Sequence, residues 1–344
     1  MTSENFDMNI ESEPIDLAKK IVKEKFDLEV IGFSIINIGY GGQVFKLQTN
    51  SQEAKKKELV FKLSELADEP SFEEINNSDR IYGTRLSNLI PAYNLLKDNN
   101  IPVAEIFDSG LTNLNGSKQQ YTILEYLSGI SVREFLTESE DENIDDLHKA
   151  TGKVFGKIHN IRRGHQGWIE MTESQSIDWK QSYFAWINSY FFKIKKENLF
   201  DFEKISAIEK YIENKRQAWN SPSEFVLSHM DGFQGIAQQD GSDWKITGVI
   251  DIEDHQFMDQ RLVLAGHEVV LILEGKQLPD IFWEEYKKNT SLDDTYSDFK
   301  NLFMLSYLLA WRSIFEDCWH GKPEDRDPAI EKIAKLIDEF LKSN

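Results

Sequence analysis

The chain has 344 residues, with 39 Lys and Arg against 59 Asp and Glu, a formal net charge of −20. A surface this acidic repels a phosphate backbone and argues against nucleic acid as a partner, and the single cysteine, Cys318, excludes an intrachain disulfide framework and a cysteine-rich zinc site. Aromatics at 12% predict a folded chain, no apolar run reaches the roughly 18 residues of a membrane span, and an acidic N-terminus without an apolar signal core predicts a cytoplasmic protein.

The first predicted element is a helix from about Pro14 to Lys25, with Ile15, Ala18, Ile21 and Val22 as its apolar stripe. Three strands follow at Leu28–Asn37, Val44–Thr49 and Leu59–Leu63, joined by Gly39-Tyr40-Gly41-Gly42 and by the polar stretch Asn50–Lys57. The acidic stretch Leu66–Asp79 reads as a loop. A helix is expected over Arg80–Lys97, bent or broken near Pro91. Strands at Pro102–Ser109 and Tyr121–Tyr126 complete a β-β-β-α-β-β order. From Ser131 the helical period dominates: Asn143–Arg162, Ser182–Glu197, Phe202–Ala218, Arg261–Leu273, Ile281–Lys288, Tyr296–Phe315 and Asp327–Leu341. Short strands at Phe225–Ser228, Ile236–Gln238 and Lys245–Ile250 interrupt it. The plan is α+β in two lobes, with a β-rich part over residues 1–127 and a mainly helical part over 128–344.

Four segments carry candidate chemistry. Gly39, Gly41 and Gly42 allow backbone N–H groups to approach a phosphate closely, as a bare hairpin turn also would. Lys62 sits mid-strand among apolar neighbours; it needs an anion if it faces inward, or water if the strand is an edge. Asp231 follows His229 by two residues in a glycine-containing loop, where a carboxylate can take the proton of an attacking hydroxyl or simply cap a turn. Asp251, Glu253 and Asp254 end an apolar strand, and hard oxygens there suit Mg²⁺ or solvent. Glycine loop, strand lysine, His-x-Asp and strand-terminal Asp stand in the order of phosphate cover, phosphate clamp, base and metal ligand in a kinase-type enzyme.

The stretch VLSHMDGFQGIAQQDGSDWKITGVIDIEDHQFMDQ resembles the aminoglycoside phosphotransferase and choline kinase family of protein-kinase-like fold. It matches the family's His-Gly-Asp loop, its Gly-x-Ile-Asp-Trp strand and its downstream Gly-Asp. YTILEYLSGISVREFL is similar to the hinge strand and following helix, and KVFGKIHNI to Leu-x-x-Leu-His. The likeness runs over roughly residues 25–275. It implies a two-lobe fold with a nucleotide-binding N-terminal sheet and a helical lobe carrying the catalytic loop and acceptor site. It implies Asp231 as base, His229 as a brace of the catalytic loop and Asp251 as Mg²⁺ ligand, with Glu253 behind it or on a second ion. Lys62 would clamp the α- and β-phosphates beneath Gly39, Gly41 and Gly42. Glu125, Tyr126 and Leu127 would be the hinge against the base of ATP or GTP. Asp259 would be structural.

Two positions depart from the pattern. The family's second metal ligand is an Asn five residues after the base; here that residue is Ile236, which leaves Gln234 or Gln238 as stand-ins. The stretch Thr84–Pro91 holds no acid to partner Lys62, and Glu73 or Glu74 would serve only if the helix starts earlier. The expected activity is Mg²⁺-dependent transfer of a γ-phosphate to a hydroxyl of a small molecule. The acidic helical part suits a cationic acceptor such as an aminoglycoside, a macrolide or a choline-like amine, and Trp311, Glu316, Asp317 and Trp319 are candidate contacts. A nucleotide-binding protein without turnover is the alternative. A protein kinase is disfavoured, since Asp251-Ile252-Glu253 replaces Asp-Phe-Gly.

Overall fold

The computed structural model describes residues 12–39, 42–65, 86–139, 144–176, 178–241, 243–318 and 323–342. The chain forms two units, Met1–Glu69 with Ala104–Leu127, and Pro70–Val103 with Ser128–Asn344.

In the first unit, helix α1 (Ser12–Phe26) places Ile15, Ala18, Ile21 and Val22 on one face, at the three- and four-residue spacing that lines one side of a helix. That face packs on Phe45, Leu47, Leu59, Phe61, Leu63, Tyr121 and Ile123 of a sheet. The sheet contains β1 (Val30–Gly39), β2 (Gly42–Thr49), β3 (Glu58–Glu65), β4 (Ile106–Leu114) and β5 (Ser117–Glu125), with a single helical turn, α2 (Ala54–Lys57), between β2 and β3. Its order is β1-β2-β3-β5-β4, antiparallel throughout. Phe45, Leu47, Leu59, Phe61 and Leu63 are every second residue of their strands, so one face is buried. Lys62 therefore lies on the opposite face of β3, partly buried, level with Val44 and Thr122.

The strand expected from Pro102 begins instead at Ile106. Pro102 has no N–H to give to a ladder; its carbonyl accepts the Val249 N–H at 2.8 Å, and Val103 bridges Val249 in the second unit. The helix drawn over Arg80–Lys97 is described from a 3₁₀ turn at Leu86–Asn88 into α3 (Leu89–Asp98). Pro91 falls in the first turn of α3, where the missing N–H has no intrahelical partner to lose, and the change from 3₁₀ turn to α-helix lies two residues before it. The predicted loop Leu66–Asp79, with Glu73 and Glu74, lies outside the described residues.

The second unit continues with β6 (Ile130–Ser131), α4 (Val132–Glu138), α5 (Asp145–His159), β7 (Arg162–Arg163), β8 (Gly167–Trp168), α6 (Trp179–Lys196) and α7 (Phe202–Gln217). Then come β9 (Phe225–His229), β10 (Gly235–Asp240), β11 (Asp243–Val249) and β12 (His255–Met258). Helices α8 (Gln260–Leu273), α9 (Asp280–Asn289), α10 (Tyr296–Cys318) and α11 (Pro323–Lys342) close the chain. Two small sheets carry the strands, β11-β10-β6 and β7-β9-β12-β8. An aromatic core lies among the helices: Tyr183 and Trp186 of α6 pack with Phe303 and Tyr307 of α10. This core is deep enough that Tyr183 turns its hydroxyl to Ser306.

Candidate active site

Strand β9 is buried along its whole length, so the chain leaves it at His229 from a fixed position. Gly232 N–H closes back on the His229 carbonyl at 3.1 Å, a tight turn around Met230 and Asp231. Gly232 has φ +83°, and a Cβ there would stand 2.9 Å from the His267 Cβ; glycine is required on both counts. Asp231 is left exposed at the outer edge of the turn. Its backbone N–H donates to His229 Nδ1 at 3.0 Å. Nδ1 is thus an acceptor, and the ring proton belongs on Nε2, which faces Asp254 Oδ2 at 3.7 Å. Burial works against charging this ring, but Asp254, Asp231 and Asp251 outweigh it and shift its pKa upward. Tyr307 donates to the Met230 carbonyl at 2.7 Å and holds the turn from below.

The hairpin β10–β11 returns the chain to the same edge. Ile250 N–H donates to the Gln234 carbonyl at 3.2 Å, so Gln234 and the residue before Asp251 are neighbours. Asp251 adopts a left-handed conformation, φ 53° and ψ 42°, an uncommon one for a non-glycine residue. This redirects the chain from β11 into a 3₁₀ turn, Ile252–Asp254, closed by Asp254 N–H on the Asp251 carbonyl at 3.2 Å. Strand β12 then pairs His255 with His229. That one register brings the Asp231 loop and the Asp251–Asp254 turn together within the second unit, as the roughly twenty-residue spacing predicts.

The donors in this turn suit a divalent cation. Asp251 is half-buried and Glu253 is buried, and Asp254 Oδ1 is buried with no hydrogen-bond partner. Among the described residues no three His, Cys, Asp or Glu side chains form a ready-made metal cage; Mg²⁺ typically takes one or two carboxylates and completes its shell with phosphate and water. Ile236 sits within β10 opposite Ser131 and Gly248 and offers no ligand. Gln238, the other stand-in, is exposed and donates to Ser128.

The remaining candidates belong to the first unit. Gly39 and Gly42 pair at the β1–β2 turn, and Gly41 lies outside the described residues. Gly42 has φ +121°, and a Cβ on it would come 2.1 Å from the Leu63 carbonyl, so its glycine is demanded by close approach to β3. Glu125 ends β5 opposite Leu59, and its carboxylate meets Lys55 at 3.4 Å. Tyr126 N–H donates to the Glu58 carbonyl at 3.4 Å, and Leu127 ends the unit. Lys46 lies 3.7 Å from the Tyr126 ring centroid and 2.7 Å from the Glu58 carboxylate. Burial tends to lower its pKa, but Glu58 and Tyr126 more than compensate and raise it.

Several further residues hold the site in place. His159 bridges Ser228 on β9 at 3.0 Å and Tyr286 on α9 at 2.6 Å, and Gln260 donates to the same Tyr286 hydroxyl at 2.7 Å. Asp259 is fully buried; it caps α8, forms a paired contact with Arg261 and accepts from Trp179 Nε1 at 2.8 Å. Trp311 packs against Tyr307. Trp319 and the side chains of Glu316 and Asp317 lie outside the described residues.

The model of the phosphotransferase enzyme family matches residues 32–260, well over half of the chain. The chain belongs to this family. It is a small-molecule kinase, α+β, of protein-kinase-like fold. No curated protein sequence matches this phosphotransferase. Among solved structures, a candidate fructosamine-3-kinase from Haemophilus somnus 129PT is 14% identical with TM-score 0.56, covering 94% of this chain and 96% of that one. APH(2″)-IIIa, solved with GDP and kanamycin, is 13% identical with TM-score 0.56, covering 95% and 99%. Amicoumacin kinase, solved in complex with AMP-PNP, Ca²⁺ and Ami, is 12% identical with TM-score 0.57, covering 96% and 94%. At such identity the likeness is one of fold. No helix among the described residues is long and apolar enough to cross a membrane.

Proposed function

We propose that this phosphotransferase moves the γ-phosphate of ATP or GTP, with Mg²⁺, to a hydroxyl of a small and cationic acceptor of the aminoglycoside, macrolide or choline-like kind. The observation that carries this reading is the His229–His255 register, which sets the exposed Asp231 beside the Asp251–Asp254 turn. Asp231 accepts the acceptor's proton as its oxygen bonds to the γ-phosphorus and the bond from that phosphorus to the bridging oxygen breaks, releasing the nucleoside diphosphate. His229 orients the Asp231 backbone and does no proton transfer, because Nδ1 is occupied by the Asp231 N–H. Asp251 and Glu253 would hold the metal, with Gln234 in place of the ligand that Ile236 cannot supply. The metal, when bound, neutralises charge developing on the phosphate oxygens. Lys62 is assigned to the α- and β-phosphates, Gly39, Gly41 and Gly42 to the phosphate cover, and Glu125, Tyr126 and Leu127 to the base. Residues 1–127 would make the nucleotide part and 128–344 the acceptor part, in the cytoplasm.

Supporting the reading are the family membership and the nucleotide complexes of structurally similar kinases. The cationic acceptor rests on the net charge of −20. The test is a screen for nucleoside diphosphate release over aminoglycosides, macrolides, choline-like amines, sugars and nucleosides, with ATP or GTP and with or without Mg²⁺. Release that needs both Mg²⁺ and one acceptor class is the expected result. Ile236 favours one rival reading, a nucleotide-binding protein without turnover; binding that ignores Mg²⁺, with no release for any acceptor, would establish it.

A further inference from the structure

The stretch Thr84–Pro91, which holds no acid to partner Lys62, contains Asn88, which is 2% exposed. Its amide nitrogen donates to two backbone carbonyls, Glu253 at 3.0 Å and His255 at 2.6 Å. Its amide oxygen accepts the Ile169 N–H at 3.3 Å. The first two carbonyls flank Asp254, in the turn that follows the left-handed Asp251. Helix α3, which Asn88 precedes, packs on the same turn. The Ile169 peptide belongs to a segment fixed from the other side, where the Arg163 guanidinium donates to the carbonyls of His165, Gly167, Trp168, Ile169 and Met171.

A side-chain amide is the group this place requires. It has two N–H donors and a carbonyl, and here both donors and the acceptor are used. A carboxylate would repel both carbonyls, and an apolar side chain would remove both bonds. The turn's own backbone bonds run from Asp254 N–H to the Asp251 carbonyl and from His255 N–H to the Ile252 carbonyl. Asn88 adds two bonds spaced two residues apart, which fix the pitch of the chain between Asp251 and β12.

We propose that Asn88 is a positioning residue for divalent-metal binding: it sets the Asp251–Glu253 carboxylates by clamping the carbonyls of Glu253 and His255. The inference rests on the metal role proposed for those carboxylates. Outer partners of metal ligands typically contribute about 10–100-fold in metal affinity. Calorimetric titration of the full chain with AMP-PNP over a series of Mg²⁺ concentrations reads a Mg²⁺ midpoint without turnover. Asn88→Ala is expected to raise that midpoint about 10–100-fold and to leave metal-free AMP-PNP affinity unchanged. Asn88→Ser, which keeps a hydroxyl donor, is the milder variant where Asn88→Ala does not fold, and is expected to shift the midpoint in the same direction by less. Leu89→Ala, a buried neighbour in α3, is expected to lower stability with the midpoint in place. If the wild-type midpoint is well defined but the foldable Asn88 variants share it, or Leu89→Ala moves it as far, the clamp is only structural and the inference falls alone. If wild-type AMP-PNP binding ignores Mg²⁺, the metal role itself falls and the inference with it.

Discussion

Asp231 and Asp259 lie 28 positions apart in the same unit and have opposite surroundings. Asp259 is fully buried and has every oxygen engaged, by Arg261 on both, by the α8 backbone and by Trp179. Asp231 is exposed, and its hydrogen bond to His229 is made by its backbone. A carboxylate saturated with donors is spent on structure; one held by its backbone has oxygens to spare, as the base proposed above would need. Residue type alone does not separate the two cases; the family resemblance assigns them different roles, and the hydrogen bonds give the physical reason.

The sharpest way to break this contrast is to neutralise both. Asp231→Asn is expected to lower kcat by about 10²–10⁴-fold with the urea midpoint of unfolding in place; wild-type turnover would remove Asp231 from the chemistry. Asp259→Ala strands the buried Arg261 guanidinium and is expected to cost about 3–5 kcal/mol in urea denaturation. An Asp259→Ala variant that kept its stability and lost its turnover would reverse the roles assigned here.

Acid probes the scaffold under the Asp231 loop. Burial pushes His267 down to about 3 and His148 down to about 4, so both are neutral when folded at neutral pH. Their folded pKa values lie below the unfolded one, so their contribution is complete above about pH 6.5 and is lost as pH falls toward the folded values. Stability should fall by about 1.4 kcal/mol per pH unit for each histidine below pH 6.5, and His267→Gln should flatten that slope. The smallest effect expected is that of Tyr286→Phe, which removes the hydroxyl shared by His159 and Gln260. It should cost about 1–3 kcal/mol, read as a lowered midpoint in thermal unfolding.

What the sequence made legible was periodic or local. The α1 stripe, the three strands through Leu63 and the long helices after Asp145 follow from apolar spacing, and their bounds differ from the observed ones by a few residues at the ends. The meeting of the Asp231 and Asp251 segments was also readable, because a short hairpin separates them. The illegible parts depend on partners far away in the chain. Asn88 looks like any polar helix-start residue until Glu253 and His255 are placed against it. His159 was visible in its motif, but not its bridge from β9 to α9. Pro102 looked like the start of a strand because its neighbours are apolar, and its carbonyl turned out to serve Val249. Gly42 reads from sequence as a phosphate cover or a hairpin turn, and its close approach to the Leu63 carbonyl is a further reason for glycine that only the fold shows.

The order in which the chain is divided between its two units bears on its biogenesis. Residues 86–103 are synthesised between two stretches of the first unit, yet they belong with segments made much later. Asn88 waits 165 positions for Glu253 and 167 for His255. During translation the five-stranded sheet can close once residue 125 has left the ribosome, while α3 remains exposed, with its apolar face uncovered, until β12 emerges. In that interval the exposed apolar face is the part of the nascent chain most open to aggregation.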